Sequence, residues 1–259
     1  GGAKVSGVAL VTGGRRGIGR GIALALAEAG FAVAVNAEVE AGDLDATVRE
    51  VEACGATAVP LVADVADLSS HEPMLARTEA ALGPLTTLVN NAGVSVRHRG
   101  DPLDVTPESF DRCLAVNTRA MFFLCQAFGR RLLARERDPA RHHSIVNVTS
   151  SNAHTVATDR AEYAVSKAAA SMVSRSFAVR LGAAGINVYE IQPGVIRTDM
   201  TAPSMARYEQ LVADGFTLTP RVGEVADVAE VAVALATGRL GYGTGQAIRV
   251  DGGQAVPRF

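Results

Sequence analysis

VALVTGGRRGIG, residues 8–19, is the stretch whose reading decides the fold. An apolar run, Val8–Val11, passes through a turn carrying Gly13, Gly14, Gly17 and Gly19 into a helical pattern. In that pattern Ile18, Ile22, Leu26 and Ala29 fall at i, i+4, i+8 and i+11, one face of a helix that Gly30 ends. A strand, a glycine-rich turn and a helix in this order make a seat for a dinucleotide. Gly13 permits the tight turn, Gly17 lets the backbone approach a pyrophosphate, and Gly19 allows close helix–strand packing. The helix start adds unpaired N–H groups and the positive end of a dipole. An ordinary αβ turn is the alternative, because the G-x-x-x-G-x-G spacing is one residue longer than the commoner fingerprint.

The same rhythm continues along the chain. Apolar runs recur at 8–12, 32–36, 57–62, 87–91, 144–149, 187–191 and 246–250, rich in Val, Ile and Leu as strands buried on both faces are. Helical patterns lie between them, over Asp43–Ala53, Leu68–Leu82, 107–135, 159–183 and 224–236. The alternation predicts an α/β fold: a single Rossmann-type, doubly wound domain over 1–259, with an about seven-stranded parallel sheet and helices on both faces. Polar connections are expected at 95–104 and 135–144. The stretch 199–222 breaks the rhythm, carries Pro203, Gly215 and Pro220, and reads as a substrate flap.

Bulk properties narrow the function classes. The 259 residues are 48% hydrophobic and 20% charged, enough for a large core and too few charges for a disordered chain. A net charge of −2 gives no general attraction to nucleic acid or anionic membranes. No apolar run reaches membrane-spanning length, and no signal peptide pattern opens the sequence. Cys54, Cys113 and Cys125 form neither a disulfide framework nor a zinc pattern, and the five histidines lack metal-ligand spacing, so no metal is expected. A cytoplasmic, soluble protein is the expectation. No G-x-S-x-G elbow is present, which sets aside a serine hydrolase.

The strongest chemical constellation is Y-A-V-S-K, 163–167. Tyr163 and Lys167 stand at i, i+4 on one helical face. A cation beside a phenol favours the phenolate and suits it to proton exchange. Ser150 closes a buried strand 13 residues before Tyr163, where open α/β sheets bind ligands.

Taken together, these motifs resemble the short-chain dehydrogenase/reductase family over essentially the whole chain. T-G-x-x-x-G-I-G is similar to its cofactor motif, and Asp64-Val65, at the end of the third strand, to its adenine site. Asn90-Asn91-Ala92-Gly93, Asn117, the Ser150/Tyr163/Lys167 set, Pro193-Gly194 and Asp251-Gly252-Gly253 follow in the family's order. The resemblance implies that Tyr163 is the general acid or base and that Lys167 tunes it and holds the nicotinamide ribose. It implies that Ser150 orients the substrate oxygen and that Asn117 holds a relay water. Gly13, Arg15, Arg16, Gly17, Ile18, Gly19, Asp64, Val65, Asn90, Ala92, Gly93, Pro193, Gly194, Ile196 and Thr198 would then contact the cofactor. His154, just after Ser150, is a candidate substrate contact, with packing as the alternative.

The cofactor choice turns on the end of the second strand. An acid there binds the ribose diol of NAD, but the expected position holds Ala37. Arg16, with Arg15 beside it, offers a cation for a 2′-phosphate. Both tilt the choice to NADP(H), and Glu38 keeps NAD(H) open.

Within the family, GGRRGIG, ADVADLSSH (63–71) and PGVIRTDM (193–200) resemble bacterial 3-oxoacyl-acyl-carrier-protein reductases. The substrate implied is a 3-oxoacyl thioester on an acidic carrier protein, which Arg97, His98 and Arg99 would meet. A polyol or sugar dehydrogenase is the second reading, and a nucleotide-binding sensor or scaffold the third. The resemblance also implies a homotetramer joined through helices 107–135 and 159–183, whose Met121, Phe122, Phe123, Leu124, Met172, Val173 and Phe177 fit an interface, with core packing as the equal alternative.

Overall fold

The seven apolar runs are the seven strands of one sheet: β1 Gly7–Val11, β2 Phe31–Ala37, β3 Ala58–Val62, β4 Thr87–Asn90, β5 His143–Val148, β6 Ile186–Pro193 and β7 Ala247–Val250. The computed structural model describes residues 7–257, so the six residues at the start and the last two lie outside this account. The strand order is β3-β2-β1-β4-β5-β6-β7, and every pairing is parallel. β1, β2, β4 and β5 are buried along their whole length, which is why they read as unbroken apolar runs. The edge strands are half exposed. Pro60 is tolerated in β3 because an edge strand needs only one set of ladder bonds.

Side-chain alternation sorts each strand between two cores. Ala9 and Val11 face α1 (Gly17–Glu28), α2 (Gly42–Ala53) and α8 (Val225–Ala236), with Ile22, Leu26, Leu44, Val228 and Leu235. Val8 and Leu10 face α3 (His71–Leu82), α5 (Met121–Leu133) and α6 (Ala161–Leu181), with Met74, Leu75, Leu124, Phe128 and Leu181. No helix among the described residues is long and apolar enough to cross a membrane.

Two expectations need correction, and the stretch 199–222 contains one helix, α7, Met205–Ala213. The helix expected over 107–135 is α4 (Pro107–Leu114), a π-helical turn (Ala115–Ala120) and α5 in succession. Met121, Leu124 and Val173 are buried in the core, so of the proposed contact residues only Phe122, Phe123 and Met172 are exposed, with Phe177 half-buried.

Both ends of 199–222 are tied down. The Arg197 N–H donates to the Gly223 carbonyl at 2.8 Å, and the Gly223 N–H to Val195 at 3.0 Å. Asp227, in the first turn of α8, accepts from Arg221 at 2.7 and 2.8 Å and from the Glu224 N–H at 2.7 Å. The Arg221 guanidinium and the Glu224 N–H draw the Asp227 carboxyl down to about 2. Its stabilisation is therefore complete above the ordinary carboxylate range and lost as pH falls through the folded value. Asp227→Asn is expected to lower the thermal midpoint at neutral pH and to lose less than wild type between about pH 4 and pH 2. Parallel midpoint-against-pH curves would contradict this role.

Candidate active site

Between β1 and β4 the strand order reverses, and the loops that follow these strands part to leave a crevice. The cleft there has a volume of about 660 Å³. The first loop forms one wall. Gly13 and Gly17 adopt the left-handed conformation, with φ of 60° and 56°. A Cβ on Gly13 would stand 2.8 Å from the Ala92 Cα, and one on Gly19 only 2.2 Å from the Gly13 carbonyl oxygen. Gly17 has no such crowding; Thr198, at 3.7 Å, is the nearest neighbour a Cβ would meet, so the cleft reaches its backbone. No side chain caps α1, and its first turn carries no acid. Uncapped N–H groups at the end of a dipole suit an anionic ligand such as a pyrophosphate.

The arginines of this loop differ. Arg15 pairs with Asp43 at 2.7 Å, while exposed Arg16 has no carboxylate partner among the described residues. Both line the cleft, as do Ile18, Ala37 and Glu38. Asn36 secures this corner, donating to Leu61 at 3.1 Å and Ala63 at 3.0 Å. Asp64 and Val65 also line the cleft, but from the turn after β3, which ends at Val62.

The Asn90-Asn91 pair corrects the sequence reading. Asn90 shares the Leu88 side of β4 and points inward, donating to Asn147 Oδ1 at 2.9 Å and Cys125 Sγ at 3.2 Å. Burial pushes the Cys125 thiol up to about 12. Asn91 lines the cleft instead, its amide donating to the Thr12 and Gly13 carbonyls at 3.0 Å each. Strand alternation (Leu88 and Val89 to opposite cores) was the signal that separates the two.

The opposite wall brings Ser150, Tyr163 and Lys167 together in the cleft. Ser150 lies two residues beyond β5 and caps a short 3₁₀ turn, its Oγ accepting from the Asn152 N–H at 3.1 Å. Lys167 is buried, with Nζ 5.6 Å from the Tyr163 ring centre and 3.4 Å from the Val148 carbonyl. Among the described residues no carboxylate pairs with it. Asn117 lies in the π-helical turn, fully buried. Its Oδ1 accepts from the Val94 N–H at 2.8 Å, and its amide donates to Val94 O at 3.0 Å and Ser166 Oγ at 2.9 Å. That side chain does not line the cleft; it clamps the loop after β4 against α6. A Cβ on Gly93 would come within 3.2 Å of Asn117 Oδ1 and 3.3 Å of Lys167 Nζ, so only glycine leaves these groups in place.

Pro193, Gly194, Ile196 and Thr198 complete the floor after β6. Gly194 is required by Asp251, whose Cα would lie 2.7 Å from a Cβ there. Asp251 itself holds the turn, accepting from Gly253 N at 2.9 Å and Ala255 N at 3.1 Å. His154 is exposed and does not line the cleft; Arg249 and Asp251 are its charged neighbours. Asn152, Arg112, Arg160, Tyr208 and Gln254 line it unanticipated. Asn152 and Arg160 lie two residues after Ser150 and three before Tyr163, a proximity that sequence spacing offered.

Known proteins share this fold. The family model described as enoyl-(acyl carrier protein) reductase matches residues 13–255. Versicolorin reductase 1 of Aspergillus parasiticus is 36% identical over 259 residues, covering 95% of each chain. The structure of a 3-oxoacyl-[acyl-carrier protein] reductase from Brucella melitensis in complex with NAD is 38% identical, covers 99% of this chain and 100% of that one, and has a TM-score of 0.94. A putative 2-deoxy-D-gluconate 3-dehydrogenase from Agrobacterium tumefaciens with bound NADP is 31% identical, covers 96% of both chains, and has a TM-score of 0.84. With a family model matching residues 13–255 and relatives of this identity over nearly the whole chain, the chain belongs to the short-chain dehydrogenase/reductase family of NAD(P)-dependent oxidoreductases.

Proposed function

We propose that the chain interconverts a carbonyl and a secondary alcohol at Tyr163, with a 3-oxoacyl compound as substrate. The observation that carries the chemistry is the convergence of Ser150, Tyr163 and Lys167 on one cleft, opposite a glycine cradle. The 3-oxoacyl assignment is supported by the name of the Brucella relative. In the oxidised or reduced state, a nicotinamide cofactor supplies the acceptor or donor of hydride.

The chain's own residues do the rest. Gly13, Gly17 and Gly19, with the start of α1, hold the pyrophosphate, and Asp64-Val65 hold the adenine. Asn91, Ala92 and Gly93 close over the middle of the cofactor. Pro193, Gly194, Ile196 and Thr198 hold its nicotinamide end, while Lys167 holds the ribose and supplies positive charge beside the phenol. Ser150 donates to the substrate carbonyl oxygen and fixes its direction. Tyr163 gives that oxygen a proton in reduction and removes it in oxidation. Asn117 acts as a positioning residue, and the segment 199–222 serves as the flap over the substrate.

We infer a preference for NADP(H). Arg16 is a free cation at the cleft, and Ala37 leaves β2 without the acid that binds a ribose diol. Arg15 contributes less, being half neutralised by Asp43. Arg97, exposed on the loop after β4, is the candidate contact for an acidic carrier protein where the acyl group arrives as a thioester. A second reading, oxidation of a sugar acid, is favoured by the arginines at the substrate end and by the name of the Agrobacterium relative. A homotetramer is proposed through exposed Phe122, Phe123, Val165, Met172 and Val179 on α5 and α6.

Tyr163→Phe is expected to retain NADPH binding and to lose roughly 10²–10⁴-fold in kcat/KM on acetoacetyl-CoA. Near-normal turnover would refute the assignment. Arg16→Ala should lower kcat/KM for NADPH about tenfold relative to NADH, the worth of one charge-assisted contact. An initial preference for NADH that the substitution leaves unchanged would sink the cofactor reading. Sedimentation should give a tetramer for wild type and a smaller species for Phe122→Arg; a monomeric wild type removes the interface.

A further inference from the structure

Four arginines, Arg97, Arg99, Arg112 and Arg160, line the substrate end of the cleft. Arg99 is neutralised by Asp159 at 2.9 Å. Among the described residues the other three have no carboxylate oxygen within 4.0 Å. Arg112 reaches only the Ser95 carbonyl, at 3.5 Å. The carboxylates that line the cleft are Glu38 and Asp64 at the β2–β3 end and Asp199 on the segment after β6.

Arg160 is the most telling of the three. Its guanidinium carbon lies 5.2 Å from the centre of the Tyr163 ring, and its Nε is buried with no hydrogen-bond partner. The neighbouring Asp159 is already committed to Arg99. Asp159 acts on Arg160 through space without bonding to it, and a partly dehydrated guanidinium with an unpartnered Nε is costly unless a ligand accepts from it. In the same cleft, the Asn152 amide is fixed by bonds from Nδ2 to Thr155 O at 3.2 Å and Oγ1 at 3.3 Å, which leaves its buried Oδ1 unpartnered. The cleft thus holds a spare cationic donor beside Tyr163 and a spare acceptor on Asn152.

We propose that Arg160 is the seat of a substrate carboxylate, so that the enzyme takes a small oxo acid and its hydroxy acid. This rests on the Tyr163-centred reading above and changes the form of the acyl group, from thioester to free acid. A thioester offers Arg160 a neutral oxygen, whereas a carboxylate pairs with it in a charge-assisted, two-pronged geometry. In the reduction, the carbonyl carbon gains hydride from the reduced cofactor and its oxygen gains the proton from Tyr163. The carboxylate keeps both oxygens and its charge throughout.

The test uses the NADPH-loaded protein with acetoacetate, methyl acetoacetate and acetoacetyl-CoA. Wild type should show a kcat/KM at least about tenfold higher for acetoacetate than for its ester, Arg160→Gln should bring that ratio to about one, and Arg160→Lys should restore part of it. Calorimetry with malonate on the NADP⁺-loaded protein reads the seat without turnover, and Arg160→Gln or Arg160→Lys should weaken that binding. Faster turnover of the thioester or equal use of acid and ester by wild type overturns the carboxylate seat and leaves the Tyr163 chemistry standing. So does an equal loss on acid and ester in Arg160→Gln, or malonate binding indifferent to Arg160. Arg160-dependent malonate binding with no turnover of any of the three keeps the seat and removes the Tyr163 reading instead.

Discussion

The bonds that Thr12 and Asn91 exchange across the gap between β1 and β4 are what the rest of the site depends on. Thr12 Oγ1 accepts from both Asn91 N and Ala92 N at 3.0 Å, and the Asn91 amide returns bonds to Thr12 O and Gly13 O. The topology creates the need for this bracket. β1 pairs with β2 on one side and β4 on the other, so the chains leaving β1 and β4 diverge just where ligands bind. Backbone groups at a diverging edge have no ladder partners, and leaving them buried and unpaired costs on the order of 1–3 kcal/mol each. The bracket satisfies four such groups and fixes the glycine loop against the NNAG turn. Gly13 and Gly19 are then glycines for steric reasons, because a Cβ on either would break into it.

From this bracket the site propagates outward by tight, mostly buried contacts. Gly93 leaves room for Asn117 and Lys167; Asn117 grips Val94 and, through Ser166, reaches α6. The π-helical turn at Ala115–Ala120 is where a helix carrying Asn117 departs from regular geometry, a common feature of functional positions. The Tyr163-bearing helix α6 is thereby referenced to the glycine loop through side chains, not through the sheet alone. A one-residue slip in any of these turns would separate Tyr163 from the cleft floor.

Much of this was legible in the sequence, for identifiable reasons. Strands buried on both faces must be continuously apolar, so VALV, AVAV and SIVNV announced β1, β2 and β5 to within one or two residues. Helix α1 was legible because one stripe must face the sheet. What escaped depended on direction and partnership, which composition does not encode. Asn90 and Asn91 are chemically identical and differ only in which side of β4 they leave. Met121 and Phe122 are both apolar, yet one is core and the other surface. Arg15 and Arg16 look equivalent until Asp43, 28 residues away, takes the first. His154 seemed close to Ser150 along the chain, but the turn after β5 carries it out of the cleft.

Charge along the cleft gives these placements their functional sense. Glu38 and Asp64 occupy the end after β2 and β3, whereas the other end holds Lys167, Arg112 and Arg160 without a carboxylate bonded to any of them. A buried cation in a fold is normally matched by an acid, since the alternative is an uncompensated desolvation cost of several kcal/mol. Elsewhere this chain obeys the rule: half-buried Arg131 and Arg135 share Glu79. Glu79 shows how well the matching works. Burial alone would raise its carboxyl, but bonds from Arg135, Leu85 N and Arg131 hold it below the ordinary range. The substrate end departs from a rule that the same molecule follows at these other half-buried arginines. Positive charge left unmatched there raises the potential where anionic oxygen develops during carbonyl reduction, so an interior the fold must stabilise at a cost becomes one that favours the transition state.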